Sequence, residues 1–383
     1  MDSLFWVKIH MKNKLFAIIL FSLTVWGCKD EEPAASLLLP SALNLEITLS
    51  ENIEGLVDVK ATANDENFFT IRFEDGDNTK EVESTDGNAQ HQYTSSGLYT
   101  IITRAHATTA DYTEREDTLT ISIAPTANED GIPINGYSTP LSYAGYSLAW
   151  NDEFSGDNLN ESDWNFETGT GSGGWGNNEL QFYRKENTTV SGGYLTITAK
   201  QQGFGGRQYT SSRLTTSGKQ SFQYGRVDIR AALPKGQGLW PAIWMLGDNF
   251  SSTGWPSCGE IDIMEIVAGS ANGNSDKKTY GTLHWDNFGE YATYGGNTFT
   301  SKTNFNEEFH VFSILWDENS ITWLLDDRQF HVTDISPAHM DEFRAKFFLI
   351  LNVAVGGNWP GSPDASTQFP QKMHVDYIRV FQK

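Results

Sequence analysis

Gly259-Glu260-Ile261-Asp262-Ile263-Met264-Glu265 places three carboxylic acids among apolar residues in what is otherwise a strand sequence. Successive strand residues point to opposite faces, so Glu260 and Asp262 share one face and Ile261 and Ile263 the other. Continued regularly, the strand puts Met264 on the acidic face and turns Glu265 away. A one-residue β-bulge at Ile263 or Met264 reverses this and returns Glu265 to the face of Glu260 and Asp262. The Ile, Met and Val neighbours are too apolar for a solvated strand, and a calcium loop would draw on Gly and Asn turns instead.

Three carboxyls on one face suit glycoside hydrolysis with retention of configuration. That chemistry needs one nucleophilic and one protonated carboxyl about 5–5.5 Å apart, a separation that neighbours on one strand face meet. Repulsion among them raises the pKa of at least one member, which then serves as an acid near neutral pH, while the middle acid steadies the nucleophile.

Working outward, the strand belongs to a long β region. From residue 146 to the end, alternating or β-branched runs recur at residues 194–200, 224–233, 310–316 and 375–381, and residues 317–320 read as a hairpin turn into 321–325. Some 240 residues of this pattern suit a two-sheet jelly roll. The Gly-rich stretch 169–178 reads as a polar loop of the kind that rims a cleft. Trp240 and Trp244 flank Pro241-Ala242-Ile243 at even spacing and project from one strand face, either as sugar platforms or as core tryptophans.

The N-terminal third has another character. Residues 36–124 read as a small β-sandwich of about 90 residues, near the size of an immunoglobulin-like module. Residues 125–140 read as a linker, and 141–383 as the catalytic domain. In front of these, Lys12 and Lys14 precede the apolar run 15–26, too short for a membrane span and right for a signal peptide. This assigns residues 1–28 to export and 29–35 to an acidic tether. The alternatives for Cys28 are lipidation and a bystander role behind an ordinary cleaved signal, and with Cys28 lipidated Cys258 is left as a small buried apolar residue.

The net charge of −22 argues against nucleic acid, whose phosphates call for clustered Lys and Arg, and favours a neutral substrate. With 12 Trp, many Gly and no long helical periodicity after residue 30, the fold class is all-β.

Several of these stretches carry family resemblances. Glu260-Ile261-Asp262-Ile263-Met264-Glu265 resembles the signature of glycoside hydrolase family 16 in its bulged, laminarinase-like form. Trp150-Asn151-Asp152-Glu153-Phe154, Gly174-Trp175-Gly176-Asn177-Asn178-Glu179, Tyr209-Thr210-Ser211-Ser212-Arg213, Gly356-Gly357-Asn358-Trp359-Pro360 and Val375-Asp376-Tyr377-Ile378-Arg379-Val380 extend the likeness in order over residues 146–383. The resemblance implies a concanavalin A-like jelly-roll sandwich with Glu260 as nucleophile, Glu265 as acid/base and Asp262 as helper. It implies sugar contacts at Asn178, Arg213, Trp240, Trp244, Trp255 and His284, no catalytic cofactor, and a structural calcium held by Glu153, Gly193 and Asp376. The implied function is an endo-acting β-1,3-glucanase of the laminarinase type. Mixed-linkage glucanase, agarase or carrageenase activity, and glucan binding without turnover, are the alternatives.

Phe73-Glu74-Asp75-Gly76-Asp77, with His91-Gln92-Tyr93 and Ser96-Gly97-Leu98-Tyr99, resembles the PKD family. Val25-Trp26-Gly27-Cys28 resembles a bacterial lipobox, and Lys29-Asp30-Glu31-Glu32 the export tag of surface lipoproteins. Together they imply an outer-membrane lipoprotein anchored through Cys28 and exposed at the cell surface.

Overall fold

The structure is a computed structural model that describes residues 38–50, 53–123, 127–270, 273, 275–295 and 298–383. The stretch holding the signal and Cys28 lies outside the described residues. Among those described, no helix is long and apolar enough to cross a membrane.

The chain divides into two units at residues 124/125. In the first, a three-stranded sheet (Ser41–Leu49, Leu56–Asn64, Asn88–Gln92) and a four-stranded sheet (Lys80–Ser84, Phe68–Phe73, Gly97–His106, Tyr112–Ile121) form a sandwich. Period-two alternation sends Val57, Val59 and Ala61 inward from one sheet and Phe69, Ile71 and Phe73 from the other, closing a core around Tyr93 and Ile101.

The second unit is a jelly-roll sandwich of two larger sheets around one core that includes Trp164, Ile229, Ile261, Trp323 and Leu351. Seven strands of the sheet that carries the acids matter below: β1 (Asn165–Glu167), β2 (Arg213–Thr215), β3 (Leu239–Gly247), β4 (Glu260–Glu265), β5 (Lys278–Asn287), β6 (Glu290–Tyr294) and β7 (Phe347–Val355). They lie in the order β6-β5-β4-β3-β7-β2-β1, so the acidic strand β4 sits between β3 and β5. The hairpin expected at 317–320 is present: the Asp317 amide donates to the Ser320 carbonyl at 3.0 Å, and the Asp317 carboxylate accepts the amides of Asn319 and Ser320.

Much of the stretch read as a linker runs along the second unit. Phe309 exchanges backbone hydrogen bonds with Asn135 and Tyr137, and Ile132 is buried with Ala232 and Phe309. The Tyr137 hydroxyl donates to Asp327, and the Thr139 amide donates to the Tyr377 hydroxyl. Apolar content is low there because backbone pairing and one buried isoleucine do the fastening. Cys258 is 1% exposed and packs with Leu246, Phe348 and Ile350, the buried apolar role expected of it.

Candidate active site

The bulge is present, at Ile263. Against β3, Asp262 pairs with Trp244 and Met264 with Ile243, so Ile263 has no opposite number. Against β5, Asp262 pairs with Thr282 and Glu265 with Tyr280, two residues of β4 facing the single Gly281. Ile263 and Met264 both enter the core, and Glu265 returns to the face of Asp262. The break is pinned from the second sheet, where the Trp323 indole donates to the Asp262 carbonyl at 2.7 Å. That approach needs a glycine opposite, because a Cβ on Gly281 would lie 2.4 Å from the Trp323 ring.

Each carboxyl of the trio is held by an aromatic neighbour or left bare. The Trp255 indole donates to Glu260 Oε2 and the Trp240 indole to Glu265 Oε1, both at 3.0 Å. Asp262 is 2% exposed, and its Oδ2 accepts no hydrogen bond: His284 Nε2 lies 3.2 Å away, close enough for a charge contact but out of line for a hydrogen bond. The same nitrogen is 3.7 Å from Glu260 Oε1, and His284 Nδ1 meets the Tyr291 hydroxyl at 2.7 Å. Burial pushes all three acids up to about 8. The charge of Asp262 adds to the rise in Glu260 and Glu265, and His284 and the indoles oppose it.

Of the residues assigned to sugar binding, Trp240, Trp255 and His284 touch the acids directly. Trp244 sits one step across: its indole donates to Asn352 at 2.8 Å, and the Arg213 guanidinium stacks over both Trp244 and Trp175. Arg213 is ion-paired with Glu167, which limits its freedom to meet a sugar. Asn178, at a φ of +56°, donates to Asn358 at 2.8 Å from the exposed glycine-rich loop.

Sequence reading missed Tyr291, Tyr280 and the role of Trp359. Trp359 packs edge-on against both Trp240 and Tyr280, and Tyr291 lies on a short strand with no motif of its own. Only the pairing of β5 with β6 brings Tyr291 to His284. A separate cavity of about 740 Å³, lined by Lys200, Gln201, Tyr209 and residues 363–370, holds none of these acids.

The proposed calcium ligands lie on or at the ends of neighbouring strands, since Asp152 pairs with Ile378 and Leu195 with Val375. Their carboxylates are taken, however. Arg379 donates to both oxygens of Glu153 at 2.8 Å, and Arg230 donates to Asp376 Oδ2 at 2.6 Å. Calcium takes six to eight oxygens. Two carboxylates already neutralised by guanidinium groups do not fit that demand as arranged.

Three carboxyls gathered beside indoles on one sheet face of a jelly roll are the arrangement that glycoside hydrolysis uses, which points to the class of carbohydrate-cleaving hydrolases. The sequence profile of glycosyl hydrolases family 16 matches residues 176–379, and the chain belongs to that family. It is 40% identical over 251 residues to a beta-glucanase of Rhodothermus marinus, covering 62% of this chain and 85% of that protein. The structure of the catalytic domain of an endo-1,3-beta-glucanase (laminarinase) from Thermotoga petrophila RKU-1 matches with a TM-score of 0.57 at 44% identity, covering 62% of this chain and 98% of that one. The clotting factor G alpha subunit of Tachypleus tridentatus is 41% identical over 240 residues, 62% of this chain, which spans only 34% of that relative. The chain is therefore a glycoside hydrolase, and family 16 hydrolysis needs no catalytic cofactor.

Proposed function

We propose that the chain is a retaining, endo-acting β-1,3-glucanase of the laminarin-degrading type. The observation that carries the reading is the bulge at Ile263, which places Glu265 beside Glu260 and Asp262 on one face. Glu260, with an indole donor at 3.0 Å and His284 at 3.7 Å, has the neighbours that favour an anion, and acts as nucleophile. Glu265 is 8% exposed and has one indole donor. Burial raises Glu260 and Glu265 alike to about 8, and with Glu260 the better compensated of the two through His284, Glu265 is the one that keeps its proton and delivers it to the leaving oxygen. The covalent intermediate is then hydrolysed by water that Glu265 deprotonates.

The glucan preference is supported by the named activities of the Rhodothermus and Thermotoga relatives and by the acidity of the chain, which disfavours sulfated galactans. Proton NMR of the first products from laminarin should show the β-anomer before mutarotation, within a mixture of oligosaccharides. An initial α-anomer would sink the double displacement, and activity confined to agarose or carrageenan would sink the substrate.

The proposal extends to location and modules. Residues 25–32 support a lipid-anchored protein of the outer-membrane surface, and the acidic turn at Asp75, which meets His91 at 3.0 Å, supports a PKD-like spacer in front of the enzyme. Cys28→Ala should move the exported protein from the membrane fraction to the soluble one; retention in the membrane would exclude the anchor.

A further inference from the structure

Within the acid cluster the polar atoms fall into two sets. Glu260 Oε2 and Glu265 Oε1 are engaged by indoles. One oxygen each of Glu260 and Asp262, together with a ring nitrogen of His284, lie within 4.8 Å of one another, the sole such trio of His, Cys, Asp or Glu donors among the described residues. Nε2 stands 3.2 Å from Asp262 Oδ2 and 3.7 Å from Glu260 Oε1. A tetrahedral zinc ion with bonds of about 2.0–2.1 Å sets its ligands about 3.3 Å apart, so the two contacts of His284 need little change to close around one, and the two carboxylate oxygens, within 4.8 Å of each other, draw together on binding.

Three further observations point to a ligand there. Asp262 Oδ2 is buried in a residue 2% exposed, and it has no hydrogen-bond partner. Such an orphan costs free energy that a cation would recover. The Tyr291 hydroxyl meets His284 Nδ1 at 2.7 Å, an outer-shell bond of the kind that fixes a metal-ligating imidazole; with Nδ1 as the donor, the Nε2 lone pair is left for the cation. Trp255 and Tyr291 beside the trio are 49% and 53% exposed, so solvent reaches a fourth ligand position. One nitrogen and two carboxylate oxygens with an open place suit zinc and its transition-metal neighbours. Calcium and magnesium, which want six or more oxygens, fit poorly.

We propose that Glu260, Asp262 and His284 form an inhibitory site for a divalent cation of the zinc class, which occupies the nucleophile in place of glucan. The inference rests on the role given to Glu260 above. The bound cation takes the lone pair that would attack the anomeric carbon, so cation and glucan exclude each other.

Calorimetric titration of the purified full chain with zinc chloride tests this, run beside laminarin hydrolysis and cobalt(II) absorption. The expected result is one zinc per chain at this site, with KM for laminarin raised and kcat unchanged, and no inhibition by magnesium or calcium at the same concentration. His284→Gln should abolish that zinc binding, and Tyr291→Phe should weaken it by about tenfold or more. Glu265→Gln, outside the trio, should keep it. Unchanged zinc affinity in His284→Gln, loss of it in Glu265→Gln, or inhibition that lowers kcat without raising KM would each overturn the site. Should His284→Gln fail to fold, displacement of cobalt from the wild-type chain by laminaritetraose decides, and cobalt that stays bound refutes the proposal. Binding is read without turnover, so a Glu260→Gln enzyme that still hydrolyses laminarin would refute the nucleophile and leave the zinc result standing.

Discussion

Asp228 and Asp262 are almost equally buried, at 0% and 2% exposure, yet their surroundings differ in kind. Asp228, on the sheet away from the acids, accepts Arg226 at 2.7 Å, the Ser313 hydroxyl at 2.6 Å and the Tyr143 hydroxyl at 2.8 Å. Asp262 has a histidine out of line and no other side-chain donor, and burial drives its carboxyl up to about 8. A buried charge kept for structure is surrounded by donors, because leaving one uncompensated costs about 3–5 kcal/mol. Asp262 lacks that compensation, and Glu260 and Glu265 have one indole donor each. Burial makes them hold their protons more tightly than free carboxyls, up to about pH 8, where a proton can pass to substrate near neutrality, and the fold is less stable for it.

The comparison breaks most visibly if the acids are neutralised. Glu265→Gln should lower turnover of laminarin by about 10²–10⁴-fold, and Glu260→Gln by more. Glu265→Gln should still form the intermediate from aryl glycosides, whose leaving group needs no proton. Equal loss on both substrate types would show that Glu265 is not the acid. Because burial, assisted by Asp262, raises Glu265 to about 8, wild-type activity on laminarin should fall as pH climbs through that range.

On the other sheet, Arg226→Met should cost about 3–5 kcal/mol of stability, read as a lower denaturant midpoint, since it strands Asp228 without its cation. A loss under 1 kcal/mol would mean that the hydroxyls alone sustain the charge.

Asp262→Asn exposes the cost of burying this carboxyl through its dependence on pH. The folded carboxyl sits near 8 and the unfolded one near 3.8, so the native state binds the extra proton between those values. Stability from this group is complete below about pH 4 and drains away as pH rises to 8. Removing the titration should therefore stabilise the variant relative to wild type at pH 9, by about 1–3 kcal/mol after allowing for relaxation. At pH 4 the two should melt together. A variant less stable than wild type at pH 9 would mean that the folded chain compensates the ionised Asp262 rather than penalising it.

How much of this was legible beforehand divides along the same line. The three acids and the bulge could be read from β4 itself, because period-two alternation makes a misplaced Glu265 visible in the sequence alone, whereas the site roles of Trp240 and Trp255 come from the family resemblance. Tyr291, Trp359 and the Trp323 contact could not. They act through strand order and sheet packing, which no local period encodes. The stretch 127–140 reads as a linker because it lacks apolar alternation, yet it is fixed by backbone bonds that leave no compositional trace.

The calcium expectation gives the smallest effect. Resemblance points to Glu153, Gly193 and Asp376, and strand register does bring their neighbourhoods together. What resemblance does not show is that Arg379 spans both oxygens of Glu153 and that Arg230 takes Asp376. These carboxylates are compensated in the manner of Asp228, so a cation gains little there and must first displace two guanidinium groups. Stripping the protein with EDTA should leave its melting temperature unchanged to within about 1 °C. Adding calcium should do no more. A bound ion at a hundred times its dissociation constant would instead add about 2.7 kcal/mol and raise the midpoint by several degrees. A shift of that size, enlarged in Arg379→Ala where Glu153 is set free, would restore the calcium site and show that its arginine competes with the ion.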